Sequence, residues 1–273
     1  MQKIPVPPYG NIHYRIDDFI RPWDNADTVC CVHGFCESSS AWNPWIPYLG
    51  KLNRVVRHDQ RGFGQSTPMP IDFPWSLDVL ADDLINLIET VSKKPVHIIS
   101  AKIGGPVTVR AAVKRPDLVK TLTLCSTPIK GPNGIPVGQL MAEQGMRAYA
   151  ESTMGPRLHG MPQEAIDWWV NLMSATAPST AIGFMNHVST INVETDLPKL
   201  QCPTLVITVD CPKRPVEHTK IWQASIPNSE LVILNSDSYH LSVTEADQCA
   251  ELTAAFIEKN SSQKKVPPTR VPS

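Results

Sequence analysis

Short runs of β-branched and aliphatic residues recur along the chain, separated by stretches with helical periodicity. The clearest runs are residues 28–32, 54–58, 96–100, 121–126, 204–209 and 230–235. Each reads as a strand bounded by polar or turn-forming residues. Between the second and third runs, Leu80, Leu84, Leu87 and Val91 share one helical face, with Ile88 beside them. That spacing predicts a helix over 76–92, with Ser76 as its N-cap. Further helices are expected at 104–114, 217–224 and 246–258. Alternation of strand and helix predicts an α/β fold: a mainly parallel sheet flanked by helices on both faces. Strands of such a sheet are continuous apolar runs, as Leu205-Val206-Ile207 is.

The stretch from about 128 to 200 breaks this rhythm. It holds no convincing strand, is rich in methionine, alanine and tryptophan, and has helical pieces around 137–152 and 163–174. We expect a helical lid inserted at 129–199, with 1–128 and 200–260 forming the core. The tail, 261–273, carries Lys264, Lys265, Arg270 and three prolines with little to bury. It is expected to be disordered.

Composition enters by exclusion. Lysine plus arginine is 25 and aspartate plus glutamate 26, a net charge of −1, so there is no basic footprint for nucleic acid. No apolar run reaches the ~18 residues of a membrane span, and Met1-Gln2-Lys3-Ile4-Pro5 lacks a secretory pattern. The seven cysteines are an odd set, mostly inside apolar runs, which fits a reducing, cytoplasmic setting better than a disulfide framework. No cysteine or histidine spacing suits a metal, and no metal or organic cofactor is implied. The 26 prolines are scattered and read as turn punctuation. Nothing in the pattern fixes an oligomeric state.

Four segments carry candidate chemistry. His33-Gly34-Phe35 follows one apolar run and precedes the polar stretch that begins at Glu37. Asp59-Gln60-Arg61-Gly62-Phe63-Gly64 follows another. Ser100-Ala101-Lys102-Ile103-Gly104-Gly105 joins a strand to a helix, and Ser238-Tyr239-His240-Leu241 lies near the end. In this order and spacing, from about Gly10 to Ile257, the chain resembles the α/β-hydrolase superfamily. The middle segment, with Arg147, Arg157, Trp168 and Trp169, is similar to the lid of 3-oxoadipate enol-lactonase-like members.

The resemblance implies a nucleophile elbow of pattern G-x-S-x-G. Here Ser100 stands at the first glycine and Lys102 at the serine, while Gly104 is kept. His240 matches the general base. The acid is displaced: the pattern places it near Pro212, and Asp210 is the nearest carboxylate. The alternative location after residues 121–126 offers only Ser126 and Thr127. The backbone N–H groups of Phe35 and Ile103, carried by His33-Gly34 and by the elbow, are the implied oxyanion donors, an arrangement commonly worth ~3 kcal/mol per donor. Asp59 and Arg61 are expected to hold their own turn, and His33 to support its loop.

A free lysine has a pKa of ~10.4, so roughly one in 2,500 is neutral at pH 7. Burial and the adjoining helix N-terminus both disfavour the cation. At a pKa of ~7.5, about a quarter would be neutral. A desolvated amine of this kind forms Schiff bases with ketones and aldehydes, opening decarboxylation, C–C cleavage or elimination. A charged Lys102 would instead anchor or polarise the substrate. The expected substrate is a small carbonyl compound: keto acid, lactone or ester. Two alternatives stay open, ester or lactone hydrolysis by water that His240 activates, and a non-catalytic ligand-binding protein. Trp168 and Trp169 cannot share a helix face; packing within the lid is expected of each, and both are candidates to line the pocket. Arg147, Arg157, His159 and His187 are candidates to hold a substrate anion, and no spacing singles one out.

Overall fold

The computed structural model describes residues 2–8 and 10–261; apart from Ser261, the tail expected to be disordered lies outside them. Among the described residues, eight strands form one sheet: β1 (Gln2–Pro5), β2 (Asn11–Asp17), β3 (Asp27–Val32), β4 (Asn53–His58), β5 (Val96–Ala101), β6 (Val119–Cys125), β7 (Thr204–Val209) and β8 (Ser229–Leu234). Their order is β1-β2-β4-β3-β5-β6-β7-β8. The pairs β1–β2 and β2–β4 are antiparallel. Every other pair is parallel. All six runs seen in the sequence are strands here. The first two strands were not among them. β1 is the sheet's edge and β2 lies next to it, and together they bury little beyond Ile4, Ile12 and His13, so their apolar pattern is thin.

Helices cover both faces: α1 (Ile46–Leu49), α2 (Leu77–Val91), α3 (Gly104–Lys114), α4 (Ile135–Arg157), α5 (Gln163–Ser174), α6 (Pro178–His187), α7 (Val216–Gln223), α8 (Leu241–Thr244) and α9 (Ala246–Asn260). Neighbouring residues of β5 show why the central strands have no polar face. Ile98 packs with Leu84, Ile88 and Leu122 on one side, and Ile99 packs with Trp45, Leu49, Ile207 and Phe256 on the other. Successive side chains of a strand point oppositely, so a two-sided cover demands an unbroken apolar run. Ser76 caps α2, its hydroxyl accepting the Val79 N–H at 3.1 Å.

Between β6 and β7 the chain forms α4, α5 and α6, with no named strand and one isolated bridge, Lys130 to Asn192. Gly145, at φ 88°, kinks α4. The segment is fastened to the core by an aromatic cluster. Phe184 of α6 stacks on Phe35 (ring centroids 5.3 Å) and meets Trp75 and Phe63 edge-on at 5.3 and 5.7 Å. The seven cysteines are all free. No helix among the described residues is long and apolar enough to cross a membrane.

Two buried histidines make the sheet acid-labile. Burial lowers His58 to about 3. It also lowers His97, on the central strand β5 beside Asp27, to about 4. Both stay neutral in the folded chain while the unfolded chain, with an ordinary pKa near 6.5, takes up protons. The stability they contribute is therefore complete above about pH 6.5 and drains as pH falls toward 4, by up to ~1.4 kcal/mol per histidine per pH unit. The expected outcome is a melting temperature that drops steeply between pH 6.5 and 4. In His58→Gln/His97→Gln the slope over that interval should flatten. An unchanged slope would place the acid sensitivity elsewhere.

Candidate functional site

The turn from β5 into α3 holds Lys102 at φ 53°, in the left-handed region that costs a non-glycine residue energy. It is fixed at both ends: the Lys102 N–H donates to the Cys125 carbonyl at 3.1 Å, and its own carbonyl accepts from Gly105 N–H at 3.0 Å. The two glycines behind it are required by space. A Cβ on Gly104 would lie 2.5 Å from the His33 carbonyl oxygen, and one on Gly105 2.0 Å from Thr127 Cγ2. The elbow expected from the sequence therefore forms around a lysine. It presses the start of α3 against the main chain at residues 32–33.

The lysine side chain is 13% exposed and donates from Nζ to Oε1 of Glu37, which is 4% exposed. Glu37 Oε1 also lies 3.4 Å from Nε2 of the fully buried His240. Its second oxygen, Oε2, accepts the Gly34 N–H at 2.9 Å. One carboxylate thus joins the amine, the imidazole and the 33–34 loop. Burial pushes the Lys102 ammonium below the ordinary lysine value, Glu37 opposes this by charge and hydrogen bond, and Arg157 adds to the depression. The net direction is down, toward the neutral amine.

The loops holding these groups are themselves pinned. Cys36, at φ 55°, turns the chain so that Glu37 points inward. His33 Nε2 accepts the Gln60 N–H at 2.9 Å, and its Nδ1 meets the Gly34 carbonyl at 2.7 Å. Both ring nitrogens are engaged, and burial lowers the His33 pKa, so this histidine is a neutral prop for its loop. Asp59 accepts from Ser39 N–H at 2.6 Å and Gln65 N–H at 2.8 Å. Arg61 pairs with Asp83 at 2.6 Å. At the far end, the Ser238 hydroxyl accepts the His240 N–H at 2.9 Å and donates to the Arg157 carbonyl. The His240 ring nitrogens make no hydrogen bond among the described residues.

Two expectations divide here. Asp210, proposed as the acid beside His240, is exposed and accepts the Val216 N–H at 3.1 Å. It accepts from the first turn of α7, a position that suits a carboxylate, and the carboxylate beside His240 is Glu37. The tryptophans separate as helical geometry requires. Trp169 is buried, 5.4 Å from the His240 ring centre and with Lys102 Nζ 5.2 Å above its own ring. Trp168 is half exposed. Together they border a cavity of about 310 Å³ that Ser40, Pro44, Met161 and Val243 also line. Glu37 escaped sequence reasoning because nothing in its loop is periodic. The available signal was indirect: a lysine expected in an apolar site needs a carboxylate partner. Among the described residues, no group of three or more His, Cys, Asp and Glu side chains is arranged to hold a metal.

The elbow, the preceding sheet order and the histidine after β8 define a class, and comparison with known proteins agrees with it. Residues 27–159, just under half of the chain, match the family model described as alpha/beta hydrolase fold, and the sheet order with its flanking helices is that of an α/β-hydrolase fold. It is 24% identical to a putative carbamate hydrolase, RutD, of Stutzerimonas stutzeri, over 89% of this chain and 100% of that protein. It is 22% identical to (E)-2-((N-methylformamido)methylene)succinate hydrolase of Acinetobacter baylyi, over 85% of this chain and 90% of that one. Among solved structures it resembles the enol-lactonase of Burkholderia xenovorans LB400. The TM-score is 0.86 at 20% identity, covering 94% of this chain and 100% of that one.

If Glu37 holds up the Lys102 pKa, then Glu37→Gln should lower it further. Labelling of Lys102 by an aldehyde and cyanoborohydride, followed by peptide mass spectrometry across pH, should titrate at a lower pH in the variant. A shift to higher pH, or none, would show that the carboxylate does not govern the amine.

Proposed function

We propose that this chain is an enzyme of small carbonyl compounds in which Lys102 is the amine nucleophile and His240 moves protons. The observation that carries this reading is the buried contact of Lys102 Nζ with Glu37 Oε1, with His240 Nε2 3.4 Å from the same oxygen. In a low-dielectric enclosure an ion pair stands close in energy to a neutral amine beside a neutral acid. Transfer of one proton from Nζ to Glu37 frees the lone pair.

Attack on a ketone or aldehyde forms the Nζ–C bond and sends the carbonyl π pair to oxygen, beside the Phe35 and Ile103 amides. His240 carries a proton from the new N–H group to that oxygen. Glu37 then returns its proton to the hydroxyl, which leaves as water and gives the iminium. A carboxylate β to the former carbonyl carbon can now leave as carbon dioxide, and a β-acyl group to which water has first added can leave as a carboxylic acid, because the electrons of the broken C–C bond flow into the iminium as an enamine. Protonation of the enamine and addition of water release product and Lys102. Residues 129–199 act as the lid over this chemistry, with Trp169 as its inner wall and the cavity beside Trp168 as the approach.

A second reading is favoured by the hydrolase names of the relatives. Lys102 stays charged and, with the two amides, steadies the oxyanion while His240 takes a proton from water attacking an ester or lactone. The test exposes the protein at pH 7.5 to a pool of small keto compounds and aldehydes with borohydride, beside Lys102→Ala. Reductive trapping concentrated on Lys102 supports the amine mechanism. Labels spread over surface lysines with Lys102 silent would overturn it. Hydrolysis of an ester and lactone panel that survives Lys102→Arg, weakens in Lys102→Met and is lost in His240→Ala would then select the second reading, and no hydrolysis of any panel member by the wild type would leave a ligand-binding protein.

A further inference from the structure

Two further arginines close on this site without a carboxylate partner. Arg157, at the end of α4, is half buried. Its carbonyl accepts from Ser238, the residue that holds the His240 main chain. Its guanidinium Nη2 lies 3.5 Å from the Tyr149 hydroxyl, and the Tyr149 ring lies 6.3 Å from that of Phe35. Arg214 belongs to the loop after β7, whose main chain doubles back at the Cys211–Arg214 bridge. Its Nε is buried and has no hydrogen-bond partner among the described residues. It lies near Cys125, whose carbonyl holds the Lys102 N–H, and near Tyr239, next to His240. Arg157 lies near Tyr239 as well. The loop that in this fold commonly delivers an acid to the histidine therefore delivers a cation to its neighbourhood.

The charges do not cancel. Glu37 is bonded to Lys102 and its charge also reaches Arg157, so one carboxylate faces three cations, and among the described residues no carboxylate is hydrogen-bonded to either guanidinium. A buried charge without a partner is costly, and a planar guanidinium is shaped to receive a carboxylate through two parallel N–H bonds. We infer that Arg157 and Arg214, flanked by Tyr149 and Tyr239, form a subsite for a substrate carboxylate beside Lys102. The substrate class narrows to anionic carbonyl compounds, that is, oxo acids or the lactones and enol esters of dicarboxylic acids. This inference rests on the reading of the Lys102–His240 site as the reaction centre, but anion recognition does not need the amine to react.

The test is equilibrium binding by calorimetry of straight-chain C3–C6 mono- and dicarboxylates and their neutral amides to the full chain at pH 7.5. At least one carboxylate is expected to bind tenfold or more tightly than its amide. Arg157→Met and Arg214→Met should each weaken that carboxylate tenfold or more, with Arg→Lys losing less. The double variant Lys102→Met/Glu37→Gln, which removes a balanced pair, should keep the preference. Should a methionine variant fail to fold, modification of the wild-type arginines by phenylglyoxal decides instead, because the bound carboxylate should protect Arg157 and Arg214. Equal binding of acids and amides, no binding of any carboxylate, arginine variants that bind like wild type, or no protection would each overturn the inference. Carboxylate binding with no trapping at Lys102 would remove the amine mechanism alone, and trapping without carboxylate preference would remove this subsite alone.

Discussion

A cation forced into a closed site shapes everything around it. The turn between β5 and α3 leaves no choice of direction for the side chain at 102, because the main chain is held by Cys125 on one side and Gly105 on the other. Gly104 and Gly105 lie against backbone and Thr127 with no room for a Cβ. A lysine placed there must bring its charge inside. Burial of a lone ammonium is expensive, so a carboxylate has to follow it in. Glu37 does so through a second left-handed residue, Cys36. Its loop is then held by Gly34, by His33 braced on Gln60, and by Asp59 bonded to Ser39. Local strain at two turns is sustained by a network of buried hydrogen bonds, which is how folds usually maintain such positions.

The same constraint organises the helices between β6 and β7. Trp169 lays its ring over both Lys102 and His240, and Phe184 locks α6 onto Phe35 and Trp75. These contacts exclude water from the ion pair. Exclusion strengthens each electrostatic term, whether it stabilises the pair or favours its neutral form. Packing and reactivity are therefore one problem here: the apolar cover that adds to stability also draws the amine toward neutrality.

Much of this was legible from pattern alone. The six central strands carry two-sided apolar runs, and α2 announces itself by Ser76 and the Leu80–Leu84–Leu87 stripe, because periodicity is a direct projection of burial. The elbow was legible because its glycines answer to sterics that do not depend on residue 102. His240 could be placed for the same reason, by its fixed distance beyond a strand. Glu37 could not, since a loop residue that turns inward leaves no periodic trace. Asp210, the carboxylate nearest in sequence to the expected place, accepts a free N–H of α7, an engagement that spacing does not show. Arg157 and Arg214 differ from Arg147 only in three dimensions. Arg147 spends its charge on Glu151 at the surface, at 2.8 Å, and no spacing rule records that.

The chemistry of an amine at this position separates the possible reactions. A serine at an elbow forms an ester, which water reopens with the help of a histidine. A lysine acylated by the same substrate would form an amide, far slower to hydrolyse, and the chain would stop after one turnover. An iminium reverses readily in water, so of the covalent routes open to Lys102 it is the one that returns the enzyme. The non-covalent route asks instead for a permanent ammonium, which burial opposes and Glu37 defends. Under the proposed function, the balance between burial and that one carboxylate, more than the fold, separates the two routes, because a fold does not by itself fix the chemistry of its site.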